Sequence, residues 1–174
     1  ASWLTLPVVK SGRYSQLIKD VEISTANNWS HKHIETLRYA YRNAPSFDEC
    51  FEKLRDVYTR QEWTKLVDLN LAFLELGREY FGISTPVVLS SSFNVQTSST
   101  QRLLDLTRLV DGTQYLSGMG ARDYLDESIF EKEGIEVSWQ ECEHFEYPQL
   151  HGPFVSHLSF IDMMMMGERG VLGG

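Results

Sequence analysis

Cysteine is scarce in this chain of 174 residues: Cys50 and Cys142 are the two, far apart and with no CxxC pair. That argues against a disulfide-built scaffold and for reduced thiols in a reducing compartment, so a cytoplasmic protein is expected. Positive charge is also in deficit. Sixteen Lys and Arg stand against 24 Asp and Glu, a formal net charge of −8, and no basic stripe offsets it. Recognition of nucleic acid through phosphate neutralisation is not expected of such a chain. Long apolar runs are missing too, and no signal-peptide pattern opens the sequence, so no membrane partner is expected.

What is present describes a globular protein. Hydrophobic residues make up 42% and charged residues 23%, enough to build a proper core in one domain covering residues 1–174. There is no initiator Met, and the strand-like run Trp3-Leu4-Thr5-Leu6 begins almost at once. The expectation is that residues upstream of it are missing.

The first half reads as two strands followed by three helices. Residues 4–9 and 20–23 are rich in β-branched and aromatic side chains. Between them Lys10-Ser11-Gly12-Arg13 is either a solvated turn or an arm that contacts a phosphate or carboxylate. Asn28 or Ser30 starts a helix that Pro45 ends. Ser46-Phe47-Asp48-Glu49 is a capping box for a second helix; Thr59-Arg60-Gln61-Glu62 repeats it for a third that runs to Gly82. This third helix is apolar on most sides, so it is expected to be buried together with Asn70. A buried amide needs a structural hydrogen bond or a ligand to satisfy it.

From residue 86 the rhythm changes. Strand-like runs at 86–89, 114–116 and 135–139 alternate with helical patterns, one from Ser98 to Gly112 and a shorter one around Tyr124, Leu125 and Phe130. The fold class expected is α/β, with a parallel βαβαβ core in the C-terminal half and a helical segment inserted after an N-terminal strand pair. Ligands of such sheets bind at the carboxyl ends of the strands. Ser90-Ser91-Ser92 and Ser117-Gly118-Met119-Gly120 each follow a strand and should open on one edge. Small residues let backbone amides approach an anion, and Arg122 in the first turn of the next helix could clamp it. An anion subsite is one reading and an ordinary strand-to-helix turn the other.

Cys142, Glu143, His144, Glu146, His151 and His157 crowd one segment, yet no pair has a recognised zinc spacing, and no metal is assigned. Histidine is better placed there as a hydrogen-bonding or acid/base group. No GxSxG nucleophile motif occurs, and no motif names a cofactor. In the last helix, near residues 157–166, Asp162 falls on the apolar side and must be paired, capped or functional. The four methionines at 163–166 read as flexible core filler.

The segment Tyr115-Leu116-Ser117-Gly118-Met119-Gly120-Ala121-Arg122-Asp123-Tyr124-Leu125-Asp126 resembles a signature of the WbqC-like protein family. So does Tyr147-Pro148-Gln149 followed by Phe154-Val155-Ser156-His157-Leu158-Ser159-Phe160-Ile161-Asp162. Earlier pieces agree in order: Trp3-Leu4-Thr5-Leu6-Pro7-Val8, Val21-Glu22-Ile23, the tract 33–45, Asn70 with Phe81-Gly82-Ile83, and Leu89-Ser90-Ser91-Ser92. Family members usually open with Gln-Pro-x-Tyr-x-Pro and Gly-Tyr-Phe elements, and this chain begins just after them. It also carries Ser156 where proline is usual, and methionines at 163–166 in place of a Leu/Phe/Asn-containing end.

The resemblance implies a bacterial protein associated with surface-polysaccharide (O-antigen) or modified-sugar biosynthesis. The activity it implies is a transferase using an anionic activated donor: a nucleotide sugar, an amino donor or an acyl donor. The motif residues it carries over are Asn70, Ser90, Ser91, Ser117, Gly118, Tyr124, Tyr147, Gln149, His157, Ser159 and Asp162. In that picture Arg122 and the Ser/Gly loops hold the anion, while His157 or Asp162 handles a proton. The alternative is a non-catalytic binding or scaffold protein of such a pathway, which predicts an exposed apolar patch in place of a polar pocket.

Overall fold

A computed structural model describes residues 2–141 and 145–169 of the chain. They divide into two compact units, one formed by Ala1–Thr85 with His144–Gly174 and the other by Pro86–Glu143. No helix among the described residues is long and apolar enough to cross a membrane.

The first unit is helical. Helix α1 (Trp29–Tyr41), α2 (Phe47–Thr59), α3 (Leu66–Phe81) and α6 (Phe160–Met166) close around a core that includes Leu37, Phe51, Leu54, Leu76, Met164 and Met165. Helix α2 shows the pattern most plainly: Cys50, Phe51, Leu54, Val57 and Tyr58 recur on one face and all are buried. The capping serine does something other than expected. Ser46 is the N-cap of α2, but its side chain makes no capping bond. Its amide donates to the Met165 carbonyl instead, 3.0 Å away, and so ties the start of α2 to α6. The methionines of α6 act as core filler, with Met164 and Met165 fully buried.

Helix α3 begins at Leu66, several residues later than its capping pattern suggests. The stretch before it is recruited by a tertiary pairing. The amides of Ile23 and Leu66 donate to the carbonyls of Thr64 and Val21, and Trp63 Nε1–H donates to Val57. Those bonds hold residues 63–65 extended, and backbone groups spent on them cannot start a helix. The other end is as expected: Gly82 adopts φ +69 and its amide closes onto Arg78 and Glu79. Asn70, however, lies on an exposed position of α3, so its amide has no burial to offset.

The expected N-terminal strand pair is reduced to isolated antiparallel bridges, Val8 with Ile23 and Glu22 with Lys65. In the turn between, Arg13 pairs with Glu22 at 2.8 Å, which leaves that cation engaged within the protein.

The second unit contains α4 (Ser99–Leu109), β1 (Gln114–Gly118), α5 (Glu127–Lys132) and β2 (Glu136–Gln140). Strands β1 and β2 pair in parallel from Gln114 opposite Glu136 to Gly118 opposite Gln140. Leu104, Leu125, Phe130 and Ile135 form its core, with Tyr115 stacked on Phe130. The mixed α/β character is therefore present, as one βαβ unit rather than a βαβαβ core. Residues 86–89, expected as a strand, join no ladder, and Val87, Val88 and Leu89 stay exposed. An apolar run becomes a buried strand only if a sheet edge and a covering layer take it up.

Candidate functional site

The first unit encloses a cleft of about 950 Å³. Two helical faces form its walls. On α1 these are His33, Leu37, Ala40 and Tyr41, and on α3 Leu66, Leu69, Asn70 and Phe73, both at the spacing that keeps side chains on one side of a helix. Tyr58 of α2, side chains from residues 2–6 and others from the irregular run 149–159 complete the lining, up to Asp162 in α6.

An irregular segment can form a wall only if something holds it. Gln149 does this with its amide: Nε2 donates to the Val155 carbonyl at 3.0 Å and Oε1 accepts from the Val155 amide at 2.8 Å. The side chain thus imitates a strand neighbour and closes the loop 149–155. His151 ties the same loop to α1, its Nε2 lying 3.0 Å from the Ala40 carbonyl. That carbonyl belongs to the last turn of α1, where helical acceptors lack internal partners.

Asp162 lies in the first turn of α6, behind the Ser159 cap, whose hydroxyl accepts from the Ile161 amide. The residue is 6% exposed. Its two oxygens each accept one phenol: Tyr41 at 2.8 Å and Tyr147 at 2.8 Å. Burial, reinforced by the neighbouring carboxylate, pushes the Tyr41 hydroxyl far up and the Tyr147 hydroxyl up to about 12. Both phenols therefore remain protonated donors at neutral pH. Tyr147 is itself held between Phe145, stacked on it, and Phe154, edge-on. Among the described residues no Lys or Arg forms an ion pair with Asp162.

Three histidines line the cleft: His33, His151 and His157. His33 is buried, and desolvation lowers its pKa. Its Nε2 donates to the Thr5 carbonyl at 3.2 Å, and its Nδ1 accepts from the Tyr58 hydroxyl at 3.3 Å. Both nitrogens are occupied and the ring is neutral, so His33 shapes the wall. In His151 the bond to a carbonyl, which can only accept, makes Nε2 the donor. His157 has φ +61, in the left-handed region, and its Nδ1 lies 2.9 Å from the Ser156 hydroxyl. A side chain other than glycine held there is strained.

The expected site residues thus fall into two groups. Asn70, Gln149, His157, Ser159 and Asp162 line the cleft, and Tyr147 joins them through Asp162. Ser90, Ser91, Ser117, Gly118, Arg122 and Tyr124 belong to the second unit. There Ser90 and Ser91 form an exposed 3-10 turn, which follows no strand because residues 86–89 form none. The two loops therefore do not follow two strands of one sheet. Ser117 is buried in β1, Gly118 ends that strand, and Tyr124 is exposed. Arg122 does not open a helix but follows a turn at Met119–Ala121, with its guanidinium over the Trp139 ring. The helix α5 starts five residues later and is capped by the Asp126 carboxylate. Its N-terminus already holds an anion supplied by the chain.

Cys142, Glu143 and His144 lie outside the described residues. Among the described residues no group of three His, Cys, Asp or Glu is placed to hold a metal ion. Tyr41, His33 and Tyr58 were not singled out from the sequence. Tyr41 meets Asp162 across 121 positions, and nothing local announces such a contact.

The model of the WbqC-like protein family matches residues 1–170. The uncharacterized protein Rv1507c of Mycobacterium tuberculosis is 32% identical over 163 residues, 93% of this chain and 70% of that protein. No solved structure matches the chain.

Proposed function

As this chain belongs to the WbqC-like protein family, we propose that it is a transferase-type enzyme of bacterial surface-polysaccharide or modified-sugar biosynthesis. The observation that carries this reading is the cleft of about 950 Å³ in which five motif residues gather. Small-molecule sites are concave, mostly apolar and provided with a few convergent polar groups, at volumes of roughly 300–1,000 Å³. In this reading the cleft takes the acceptor. No Lys or Arg is among its lining residues, so it does not suit an anionic donor. The anion contact assigned to Ser90, Ser91, Ser117, Gly118 and Arg122 is a separate element of the proposal, carried by the second unit.

His157 and His151 are the proton-handling groups. Each stands on the cleft, His151 with Nε2 spent on the Ala40 carbonyl and Nδ1 as its other ring nitrogen. Asp162 serves as a fixed acceptor, since two phenols already hold it in place.

The test is turnover of nucleotide-sugar, amino and acyl donors with hydroxyl and amine acceptors, preceded by a thermal-shift screen of the donors. Ligands that bind only the folded state raise the melting temperature. The expected result is a shift with one donor class, lost in Arg122→Ala, and turnover that falls about 10²–10⁴-fold in His157→Ala or His151→Ala. Turnover unchanged in both histidine variants overturns the acid/base assignment. A second reading, a binding or scaffold protein, draws on exposed apolar side chains of the second unit, among them Val88, Leu109, Leu116 and Met119. It predicts no turnover of any donor.

A further inference from the structure

Among the described residues that line the cleft Asp162 is the acidic side chain, and no Lys or Arg stands beside it there. Asp162 is 6% exposed, yet among the described residues no Lys or Arg pairs with it, and none lines the cleft. Buried carboxylates are ordinarily paired, because desolvating an anion without a counter-charge is costly. Two phenols supply hydrogen bonds to it but no positive charge. Each carboxylate oxygen accepts one phenol and keeps capacity for another donor. His33, the buried histidine of the cleft, is held neutral by burial and has both nitrogens engaged, so it supplies no charge either.

We propose that Asp162 is the recognition point for a protonated amine on the substrate that enters this cleft. The chemical class is an amine-bearing, ring-sized acceptor such as an amino sugar. The ammonium completes the carboxylate's coordination as a charge-assisted donor. The rest of the ligand lies against apolar and aromatic wall: Phe73 on α3 and Trp3, which is 96% exposed and belongs to the cleft lining. An exposed indole face favours a cationic or apolar ring edge over an anion. This inference rests on the acceptor reading of the cleft and narrows it to amines.

The experiment compares three matched probes on the full chain by calorimetric titration: methyl glucosaminide, methyl glucoside and methyl N-acetylglucosaminide. They differ in one substituent, an ammonium, a hydroxyl or a neutral amide. The expected result is at least about tenfold tighter binding of the amine, the scale of one charge-assisted hydrogen bond. Asp162→Asn should abolish that preference. Equal binding of the three, no binding of the amine, or a preference that survives Asp162→Asn overturns the inference. If Asp162→Asn does not fold, the three-ligand comparison on the unaltered chain still decides. Competition by methylammonium, against potassium chloride at equal ionic strength, supplies the second readout. Donor turnover without amine preference sinks this inference alone. Amine preference without any turnover sinks the transferase reading and leaves this one standing.

Discussion

Replacing Tyr41 by Phe removes one of the two hydrogen bonds to Asp162 while keeping the ring, so the loss isolates the hydroxyl. The bond is 2.8 Å long, the acceptor residue is 6% exposed, and Tyr41 sits on α1, which cannot shift to admit water without disturbing its own packing. Hydrogen bonds to charged groups contribute about 1.5–3 kcal/mol, and the whole of that range applies when the abandoned atom stays buried. Tyr147→Phe should cost less, about 1 kcal/mol, because an irregular segment can yield and let water replace the phenol. With a urea dependence of about 1–3 kcal/mol per molar, Tyr41→Phe moves the unfolding midpoint down by about 1 M. Tryptophan fluorescence follows the transition; a Trp139→Phe background confines the signal to the first unit, which contains Trp29 and Trp63. In an Asp162→Ala background the same Tyr41→Phe change should be worth less than about 0.5 kcal/mol, since the phenol has lost its acceptor. A cost below about 0.5 kcal/mol in the unaltered protein, or equal costs in both backgrounds, refutes the reasoning.

Three other outcomes follow from the same structure. His33 is held neutral by burial with its pKa below the usual 6.5, so the folded state carries fewer protons than the unfolded chain in the window just under that value. Its contribution to stability is complete above 6.5 and shrinks as the pH falls through the window. His33→Gln should therefore be less stable at pH 7.5 but lose less on acidification to pH 5, read by urea midpoints; parallel pH profiles for the two proteins contradict this. Gly167 combines φ +77 with a position where a Cβ would lie 2.7 Å from Ser46 Oγ. Gly167→Ala should cost about 1–3 kcal/mol, and Ser46→Gly should recover the part due to the collision but not the part due to the backbone, again by urea midpoints. Gln149→Ala cuts both bonds that close the loop 149–155, so amide exchange should speed up there while α2 keeps its protection. Unchanged exchange in the loop would show that the amide is not what holds it.

Much of the first unit was legible because its signals are local. The face of α2, the Gly82 terminus of α3 and the burial of the methionines near residue 164 all follow from side-chain spacing and one residue's backbone freedom. Asp162 was legible in the same way, since a charge on the apolar side of a short helix must find partners. The identity of those partners was not legible. Tyr41 lies 121 positions away and carries no motif of its own. The second unit was read well where helix and strand periodicity is strong, at α4, β1 and β2. It was misread at residues 86–89, where an apolar run has no neighbour to pair with.

By itself, then, the sequence determined the family, the mixed helix and strand content, the principal helices of the core and the polar residues worth watching. Each of these depends on residue type and short-range spacing. Only the tertiary structure decided that Ser90, Ser117, Gly118 and Arg122 belong to one compact unit and Asn70, Gln149, His157 and Asp162 to the other. It alone decided that residues 63–65 pair with 21–23 rather than extend α3, and that Asp162 is held by phenols and not by a cation. The physical reason is common to all three. A backbone amide, a sheet edge or a buried carboxylate must be satisfied by whichever group lies beside it in space, and sequence spacing does not encode which group that is.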